Sequence, residues 1–483
     1  MKISQLLSRR ARRCGVRSAL LLSCAALMAA CAGPEPFDVP DPDFRGRVSL
    51  SAVPAVVPGS EVKVTGQNFK PGQEVRLRYG ELTLGEESPL VADEDGAFHS
   101  RFTVPEDAPL GHHPVVVSVS KPAAAFVQPL KISPDVPLSG EEHFALEGKR
   151  VVNGLYQSAY SARSDSLFVT AAVGRPPVTD TQLVKLNPRT LEIRLNVAPR
   201  PAPARPERDG QLRESGLYAV YGVAVDDAKG TVWVTNTRHD TVAVYRQSDL
   251  ALLRQFEAGT VPHARDVVVD EALGRVYVSA VGHFISVFDA ESLEFIENIE
   301  IPTSLGAARG FGAREARFSP MSLYLDAGSH RLFTVSLSTE EAAVINTRTH
   351  AVEKVFVVEG AKTASGVAYD ARSKRLLVAA QGSDNLLIVD LATGRTLHDV
   401  KVGAGALNVM LDSAGQLAYV SNRAADTVTV VNLAGEIVAN LPLGSLPNHV
   451  ARGPDGVMFA VNKARSVADP RGDRVTRIVP QPR

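Results

Sequence analysis

The chain has little cysteine, tryptophan or methionine: three, one and five among 483 residues, with aromatic residues at 6%. All three cysteines fall within the first 31 residues, so the rest of the chain holds no disulfide framework. Outside 18–30, no apolar run approaches the ~20 residues that span a bilayer. Glycine-rich phosphate loops and the HExxH, CxxC and GxSxG motifs are also missing. These absences exclude a disulfide scaffold and a polytopic membrane protein, and they give an enzyme no familiar motif.

The first thirty residues have the pattern of an export signal. They carry one Lys and five Arg without an acidic residue, and the apolar run 18–30 is too short for a stable transmembrane helix. The run ends in LMAAC, which resembles the lipobox of bacterial lipoproteins, with Cys31 as the lipid-bearing residue. We therefore predict a lipoprotein signal peptide over 1–30 and a membrane anchor on Cys31.

The composition after Cys31 predicts a tether. Residues 32–44 contain four prolines and four acidic residues, so we expect an extended, solvated linker over 31–44. Ala32 follows the cysteine where an Asp would signal retention at the inner membrane. By resemblance to Gram-negative lipoproteins, this indicates the outer membrane of the cell envelope, with the periplasmic or surface face left open.

Residues 45–135 have the pattern of a small β-sandwich. Short segments of alternating apolar and polar residues are separated by Pro-Gly and Asp-Gly turn signals. About seven short strands in ~90 residues predict an immunoglobulin-like sandwich. The phrases VTGQNFKPGQEVRL and ADEDGAFHSRFTVP resemble the Ig-like repeats of bacterial surface proteins. We expect a spacer or docking module.

An internal repeat is the strongest pattern in the remainder. A strand of the type LFVTA, VWVTN or VYVSA recurs seven times, and a further strand ending near Asp or Asn follows each central copy. In five copies an Asp precedes the anchor by seven residues, where we expect it to cap a turn. The anchors are Phe168, Trp233, Tyr277, Phe333, Leu377, Tyr419 and Phe459. The five aspartates are Asp226, Asp270, Asp326, Asp370 and Asp412.

Units of about 40–45 residues with about four strands each predict a seven-bladed β-propeller over 143–483. The expected fold class is therefore all-β, a seven-bladed propeller preceded by an N-terminal immunoglobulin-like sandwich. The last unit has room for a third strand but hardly for a fourth, and an open ring would leave unpaired edges. We expect the strand around 143–147 to complete that last blade.

The repeats resemble those of the YVTN β-propeller family, and the last 340 residues resemble its YncE-type members. The resemblance depends on YVSN at 419–422, DTVTVVN at 426–432 and LPNHVA at 446–451. It implies a propeller, and it implies an association with single-stranded DNA, without contact residues that can be placed on this sequence. Propellers host many activities, so the repeat is specific for fold rather than function.

The long departures from the repeat fall on one face. They occupy 174–182, 198–216, 302–319 and 463–474, on the connections that emerge at one end of a propeller. Together they carry a formal charge of +5, whereas the rest of the chain after residue 30 carries −12. The sequence therefore predicts an elaborated, basic face on an acidic body.

Two interpretations of this face stay open. Its cations either are solvated and paired with neighbouring acids, or form a funnel that recruits an anion such as single-stranded DNA, a glycan or an acidic protein segment. The stretch 309–317 adds three Arg and one Phe, whereas the acidic chain and few aromatics speak against nucleic acid. The candidate ligand-binding residues are Arg238, His239, His263, Arg265, Asp266, Arg309, Phe311, Arg314, Arg317, Arg423, His449, Lys463 and Arg465.

Enzyme chemistry has weak support. Seven positions expected to line the channel contain one carboxylate, Asp266, whereas a catalytic Ca²⁺ or Zn²⁺ centre needs more acid or His ligands. We therefore predict a non-enzymatic binding protein without metal or cofactor. Two alternatives stay open: a propeller lactonase or hydrolase using Asp266 and nearby His, and a scaffold for an envelope protein complex. The seven positions are Gln157, Gly222, Asp266, Ser322, Gly366, Asn408 and Asn448.

Overall fold

The computed structural model describes residues 38–206, 211–305 and 316–481. The predicted signal peptide and Cys31 lie outside these ranges. Contacts divide the chain into two compact units; the smaller contains Lys63–Phe102 and His113–Leu130, and the larger contains Lys131–Arg483. Among the described helices, none has the length and apolar content of a membrane span. The described helices are the short 3₁₀ segments Glu141–His143, Thr237–His239 and Pro454–Gly456.

The N-terminal strands form two antiparallel sheets. One has the order β1-β2-β6, and the other has the order β4-β3-β7-β8 with β5 paired to β3. Burial alternates along β7, where Val115, Val117 and Val119 are buried, so one face of that sheet points to a core. The strands are β1 (Arg47–Ser51), β2 (Glu61–Gln67), β3 (Glu74–Tyr79), β4 (Leu82–Thr83), β5 (Leu90–Val91), β6 (Phe98–Thr103), β7 (Gly111–Ser120) and β8 (Ala124–Ile132).

The larger unit is built from short strands rich in β-branched residues, such as TVWVTN and TVTVVN. Up to residue 255 they are β9 (Phe144–Arg150), β10 (Leu155–Ser161), β11 (Ser166–Ala172), β12 (Thr181–Leu186), β13 (Ile193–Val197), β14 (Arg205–Pro206), β15 (Leu212–Arg213), β16 (Val223–Asp226), β17 (Thr231–Asn236), β18 (Thr241–Arg246) and β19 (Leu252–Gln255). Up to residue 401 they are β20 (Val267–Asp270), β21 (Arg275–Ser279), β22 (Phe284–Asp289), β23 (Phe295–Glu300), β24 (Pro320–Asp326), β25 (Arg331–Ser336), β26 (Glu341–Asn346), β27 (Val352–Val357), β28 (Ala364–Asp370), β29 (Arg375–Ala380), β30 (Asn385–Asp390) and β31 (Thr396–Lys401). The remaining ones are β32 (Ala406–Asp412), β33 (Leu417–Asn422), β34 (Thr427–Asn432), β35 (Ile437–Pro442), β36 (Pro447–Arg452), β37 (Met458–Asn462) and β38 (Arg474–Pro480).

Strands β14 and β15 pair with each other, and the others pair into seven four-stranded antiparallel sheets within the described part of the chain. Sheets 1 to 6 are β10–β13, β16–β19, β20–β23, β24–β27, β28–β31 and β32–β35, and sheet 7 has the order β36-β37-β38-β9. The first strand of each sheet contacts the first strand of the next, and β36 contacts β10 again. The sheets therefore follow one another around a closed cycle.

Sheet 7 joins two distant parts of the chain. Strand β9 pairs antiparallel with β38 along its whole length, from Phe144 opposite Pro480 to Arg150 opposite Arg474. Phe144 is buried and its ring lies 6.2 Å from that of Tyr419 in sheet 6. The prediction that a strand near 143–147 completes the last sheet is confirmed.

The anchor residues of the sequence repeat form the cores between sheets. All seven lie on the second strand of their sheet, and each is at most 1% exposed. Trp233, for example, packs between sheets 2 and 3, with its ring 5.9 Å from Phe288. Burying such side chains supplies roughly 25 cal/mol per Å² of apolar surface. The prediction that the repeat forms a recurring strand is confirmed, and this strand is the second of each sheet.

The aspartates that precede the anchors cap turns, as predicted. Each ends the first strand of its sheet, and its carboxylate accepts a hydrogen bond from the turn that follows. Asp226 accepts the backbone N–H of Lys229 at 2.9 Å, and Asp412 accepts that of Gly415 at 3.1 Å. Capping satisfies the polar backbone of these tight turns.

A second set of aspartates links neighbouring sheets. Each lies between the second and third strands of its sheet with a left-handed backbone, φ 55–63°. Its carboxylate accepts a backbone N–H just before the first strand of the next sheet. These bonds hold adjacent sheets together at one end of the ring. The pairs are Asp240 with His263, Asp384 with Gly405, Asp426 with Leu446, and Asp473 with Gly154.

Candidate functional site

A channel of about 360 Å³ lies between the first strands of the sheets. Its lining includes Tyr160, Asp266, Tyr324, His449 and Arg452. Strands alternate in direction within each sheet. The connections between second and third strands and the links that lead into each first strand therefore gather at the same end. We call this end the channel mouth.

Tyr156, at the start of β10, lies at the mouth. Its ring packs edge-on against that of Tyr221 with centroids 5.0 Å apart. The ammonium nitrogen of Lys463 lies 5.1 Å from the Tyr156 ring centroid, within range of a cation–π contact. Tyr221 is buried and Tyr156 is half-buried, so the two rings form a fixed apolar floor beside the cation.

Three arginines act electrostatically on the same tyrosine. Burial raises the pKa of the Tyr156 phenol, and the positive charges of Arg423, Arg238 and Arg265 oppose that rise. We use the term mouth cluster for Tyr156, Arg238, Arg265, Arg423 and Lys463. The structure thus brings together four of the predicted ligand-binding residues.

Arg423 is fixed through an amide. Its guanidinium donates to Oδ1 of Asn448, and Nδ2 of the same amide donates to the backbone carbonyl of Tyr156 at 2.7 Å. Asn448 therefore ties a cation from sheet 6 to the tyrosine of sheet 1. Burial lowers the pKa of Arg423, which marks a cation partly removed from water.

Arg265 and Lys463 also donate to uncharged oxygens. Arg265 donates to the carbonyl of Pro320 at 2.9 Å and to the hydroxyl oxygen of Ser319 at 3.4 Å. Lys463 donates to the carbonyl of Ala172 at 3.2 Å. The hydrogen bonds position these cations without neutralising them.

The cations of the mouth act on one another electrostatically. Burial lowers the pKa of Lys463 to about 8, with Arg423 and Arg238 adding to the effect and Asp473 opposing it. Burial likewise lowers the pKa of His263, and Arg265 and Arg238 lower it further. The nearby Asp473 carboxylate already accepts the N–H of Gly154 at 2.8 Å. The mouth is therefore a partly desolvated site with excess positive charge.

Asp266 lies inside the channel below the cluster. Its Oδ2 accepts the N–H of Leu323 in sheet 4 at 2.9 Å, and its Oδ1 accepts that of Val267 at 3.1 Å. Burial raises its pKa to about 6, against the lowering effect of these hydrogen bonds. Gln157 and Asn408 make the same kind of bond to the next sheet, accepting the N–H of Val223 and Val450. Asp266 is one of several side chains that link first strands.

His449 links sheet 7 to sheet 1 within the channel. Its Nδ1 lies 3.4 Å from the backbone nitrogen of Ser158, and accepts that N–H. Burial lowers its pKa to about 4, which keeps the ring neutral and Nδ1 available as an acceptor.

Two of the predicted ligand-binding residues, His239 and Arg465, make contacts within the fold. His239 is buried, with its ring 5.0 Å from Tyr218 and its Nε2 3.3 Å from the carbonyl of Ser215. Arg465 donates through both terminal nitrogens to Asp426, at 2.7 and 2.8 Å. This bidentate pair holds the connection between β37 and β38 in place.

Most of the basic stretch 309–317 lies outside the residues that the structure describes. Arg309, Phe311 and Arg314 lie outside the described residues. The carbonyl of Arg317 accepts the hydroxyl of Ser338 at 2.6 Å, and this residue is exposed.

Sequence reasoning missed the two tyrosines of the mouth. Tyr156 and Tyr221 directly precede Gln157 and Gly222, two positions that the sequence had placed on the channel. An aromatic residue repeated before the channel position in consecutive repeats is the signal that was available. Among described residues, no group of three or more His, Cys, Asp or Glu side chains is placed to hold a metal ion.

Comparison with solved structures identifies the class of fold. Hydrazine synthase from Kuenenia stuttgartiensis superposes with a TM-score of 0.52 and 15% identity, over 69% of this chain and 97% of that one. At this identity the likeness concerns the fold alone, which is of the propeller type.

Comparison with curated sequences gives more specific relatives. Proteins called "Uncharacterized protein YncE" from Salmonella typhimurium and Salmonella typhi are each 22% identical over 327 residues, 65% of this chain and 84% of the relative. No protein-family model matches the chain. The chain is thus similar to YncE, in agreement with the resemblance of its repeats.

Proposed function

We propose that this protein is a non-enzymatic binding module that holds an anionic ligand at the channel mouth. The supporting observation is that Arg265, Arg423 and Lys463 donate to carbonyl, hydroxyl and amide oxygens. Lys463 also lies against the ring of Tyr156, and Arg423 is joined to its carbonyl through Asn448. Partly desolvated cations cost free energy unless a counter-charge is supplied. An anionic ligand supplies it.

The proposed architecture is a seven-bladed β-propeller behind an immunoglobulin-like sandwich. The closed cycle of contacts between first strands supports the identification of each four-stranded sheet with a blade. The two N-terminal antiparallel sheets, with contacts between Phe44, Phe69 and Phe98, support a sandwich. A spacer that carries a binding propeller suits such an arrangement.

We further propose that Cys31 carries a lipid that anchors the protein in the Gram-negative envelope, at the outer membrane. The support is the basic, apolar and lipobox pattern of residues 1–31. The membrane would then be one partner, and the anion or an envelope protein another.

Retention on an anionic matrix tests the proposed function. We expect the protein to bind heparin at low salt and to elute with rising salt, because ion-pair contacts are screened. The double substitution Arg265→Gln and Arg423→Gln should lower the eluting salt concentration. The matched control is Arg246→Gln, whose exposed side chain pairs with Asp249 away from the mouth. Flow-through of the unmodified protein at low salt would contradict the proposal.

The lactonase alternative would use Asp266 and His449. Both oxygens of Asp266 accept backbone N–H groups, and His449 Nδ1 accepts another. These bonds link the first strands, and we therefore favour a structural role for both residues. A scaffold role would instead use the rim, and co-purification from detergent-solubilised membranes would detect its partner.

A further inference from the structure

We propose that the mouth cluster binds a single dianionic phosphate group, carried as a monoester on a small molecule, rather than the successive phosphates of a nucleic-acid strand. This inference depends on the proposed function and makes its ligand specific. Three features of the described residues support it: the cations come from different sheets, hydrogen bonds hold them in place, and one half-buried tyrosine ring lies beside them.

The cations of the mouth cluster come from separate parts of the chain. Arg238 follows β17, Arg265 precedes β20, Arg423 follows β33 and Lys463 follows β37, so they belong to four different sheets or links. Two of them meet at Tyr156: Lys463 lies against its ring, and Arg423 is joined to its carbonyl through Asn448. A groove for a polymer spaces its cations along a path. Cations that reach one tyrosine from different sheets suit one compact anion.

The cluster is held in place before any ligand binds. Arg423 is fixed by Asn448, Arg265 by the carbonyl of Pro320, and Lys463 by that of Ala172. Binding therefore costs little side-chain entropy, which favours recognition of a small ligand. Arginine also suits phosphate oxygens because its planar fork donates two parallel hydrogen bonds.

The charge of the cluster favours a dianion. The cluster holds several arginines and a lysine, and the two carboxylates that act on it, Asp473 and Asp266, offset only part of this positive charge. A carboxylate would neutralise one of these cations, whereas a phosphate monoester carries close to two negative charges near pH 7. We therefore expect phosphate to bind more tightly than acetate.

The aromatic surface of the mouth cluster, as far as the structure describes it, is too small for a strand of bases. Tyr221 is buried against Tyr156, so the cluster presents one half-buried ring. Proteins that bind single strands stack successive bases on several exposed rings. The pair Tyr156–Tyr221 instead forms a wall beside one anionic group.

Titration calorimetry of the full chain tests the proposal with three probes: inorganic phosphate, acetate and a short oligothymidylate without a terminal phosphate. We expect saturable binding of phosphate at one site and weaker binding of acetate. Arg423→Gln should weaken phosphate binding about tenfold or more, the equivalent of losing one charge-assisted hydrogen bond. Arg246→Gln, on the outer part of sheet 2, should leave it unchanged.

The outcomes separate the two proposals. Oligothymidylate binding that Arg423→Gln does not weaken, with no phosphate binding, would overturn the phosphate site and leave an anion-binding function. Acetate binding as tightly as phosphate would overturn the preference for a dianion. Failure of all three probes and of heparin retention would overturn both proposals. If Arg423→Gln does not fold, Lys463→Met should weaken phosphate binding in the same way. This substitution leaves the hydrogen bonds between Arg423, Asn448 and Tyr156 intact.

Discussion

The carboxylate of Asp473 accepts the backbone N–H of Gly154 at 2.8 Å, across 319 positions of the chain. The same Oδ1 accepts the N–H of Ala464 at 3.1 Å. Asp473 is buried at 2% exposure, and it lies where sheet 7 meets sheet 1. The bond repeats, at the closure of the ring, the link that Asp240, Asp384 and Asp426 make between other neighbouring sheets.

Removing this link should weaken the fold. We expect Asp473→Ala to lower the free energy of unfolding by about 1–3 kcal/mol, because two buried N–H groups lose their acceptor. Urea denaturation followed by circular dichroism measures the change. Asp249→Ala is the control, since Asp249 caps an exposed turn on the outer part of sheet 2. Equal effects of the two substitutions would contradict a special role for the closing bond.

Asp266 should give stability a distinct pH dependence. Its pKa is about 6 in the folded protein and 3.8 in an unfolded chain, so the folded state holds the proton more tightly. This contribution is fully present below about pH 3.8 and is lost as the pH rises through 6. Asp266→Asn should abolish this decrease in stability between pH 5 and 7 while keeping one acceptor oxygen. The measurement is the free energy of unfolding of the original protein and of the variant at both pH values. An equal decrease in the two proteins would contradict the raised pKa of Asp266.

Lys463 should make phosphate binding sensitive to alkaline pH. Its pKa of about 8 means that the ammonium loses its proton just above neutrality. Affinity should therefore fall as the pH rises through 8, by up to about tenfold per pH unit from this one group. Lys463→Arg keeps the charge and should extend binding to higher pH. Identical pH profiles for the two proteins would show that Lys463 does not contact the anion.

Lipidation has a direct test. We expect Cys31→Ala to move the protein from the membrane fraction to the soluble fraction, because acyl chains contribute about 0.8 kcal/mol per buried CH₂ group. Fractionation followed by immunoblotting measures this, with a Cys24→Ala chain as the matched control. Membrane retention of the Cys31 variant would show that the anchor lies elsewhere.

The sequence predicted the repeat well because the repeat has a local physical cause. Anchors such as Trp233 and Tyr419 recur since every sheet must bury the same face, and Asp226 recurs because every first turn needs a cap. The strand near 143–147 could be predicted because the last sheet would otherwise have an unpaired edge. The sequence named the four cations of the mouth cluster among its candidates but missed Tyr156, because the cluster arises from contacts between distant sheets.

Arg423 and Arg465 show what could not be predicted from the sequence. They lie in similar connections of neighbouring sheets and look alike in the sequence. Arg423 donates to an amide at the mouth, whereas Arg465 forms an ion pair with Asp426. The choice depends on which partner the fold places within reach. Composition and spacing carry no information on that partner.

The pairing of β9 with β38 also determines when the ring of sheets can close during synthesis. The side chains of Glu147 and Arg477 meet across 330 positions, so β9 has no partner until the far strand has been made. At about 5–20 residues per second, synthesis leaves that edge open for roughly 15–65 s. Ring closure is therefore a late event, and the nascent chain reaches its final step with an exposed strand that must be kept from pairing with another molecule.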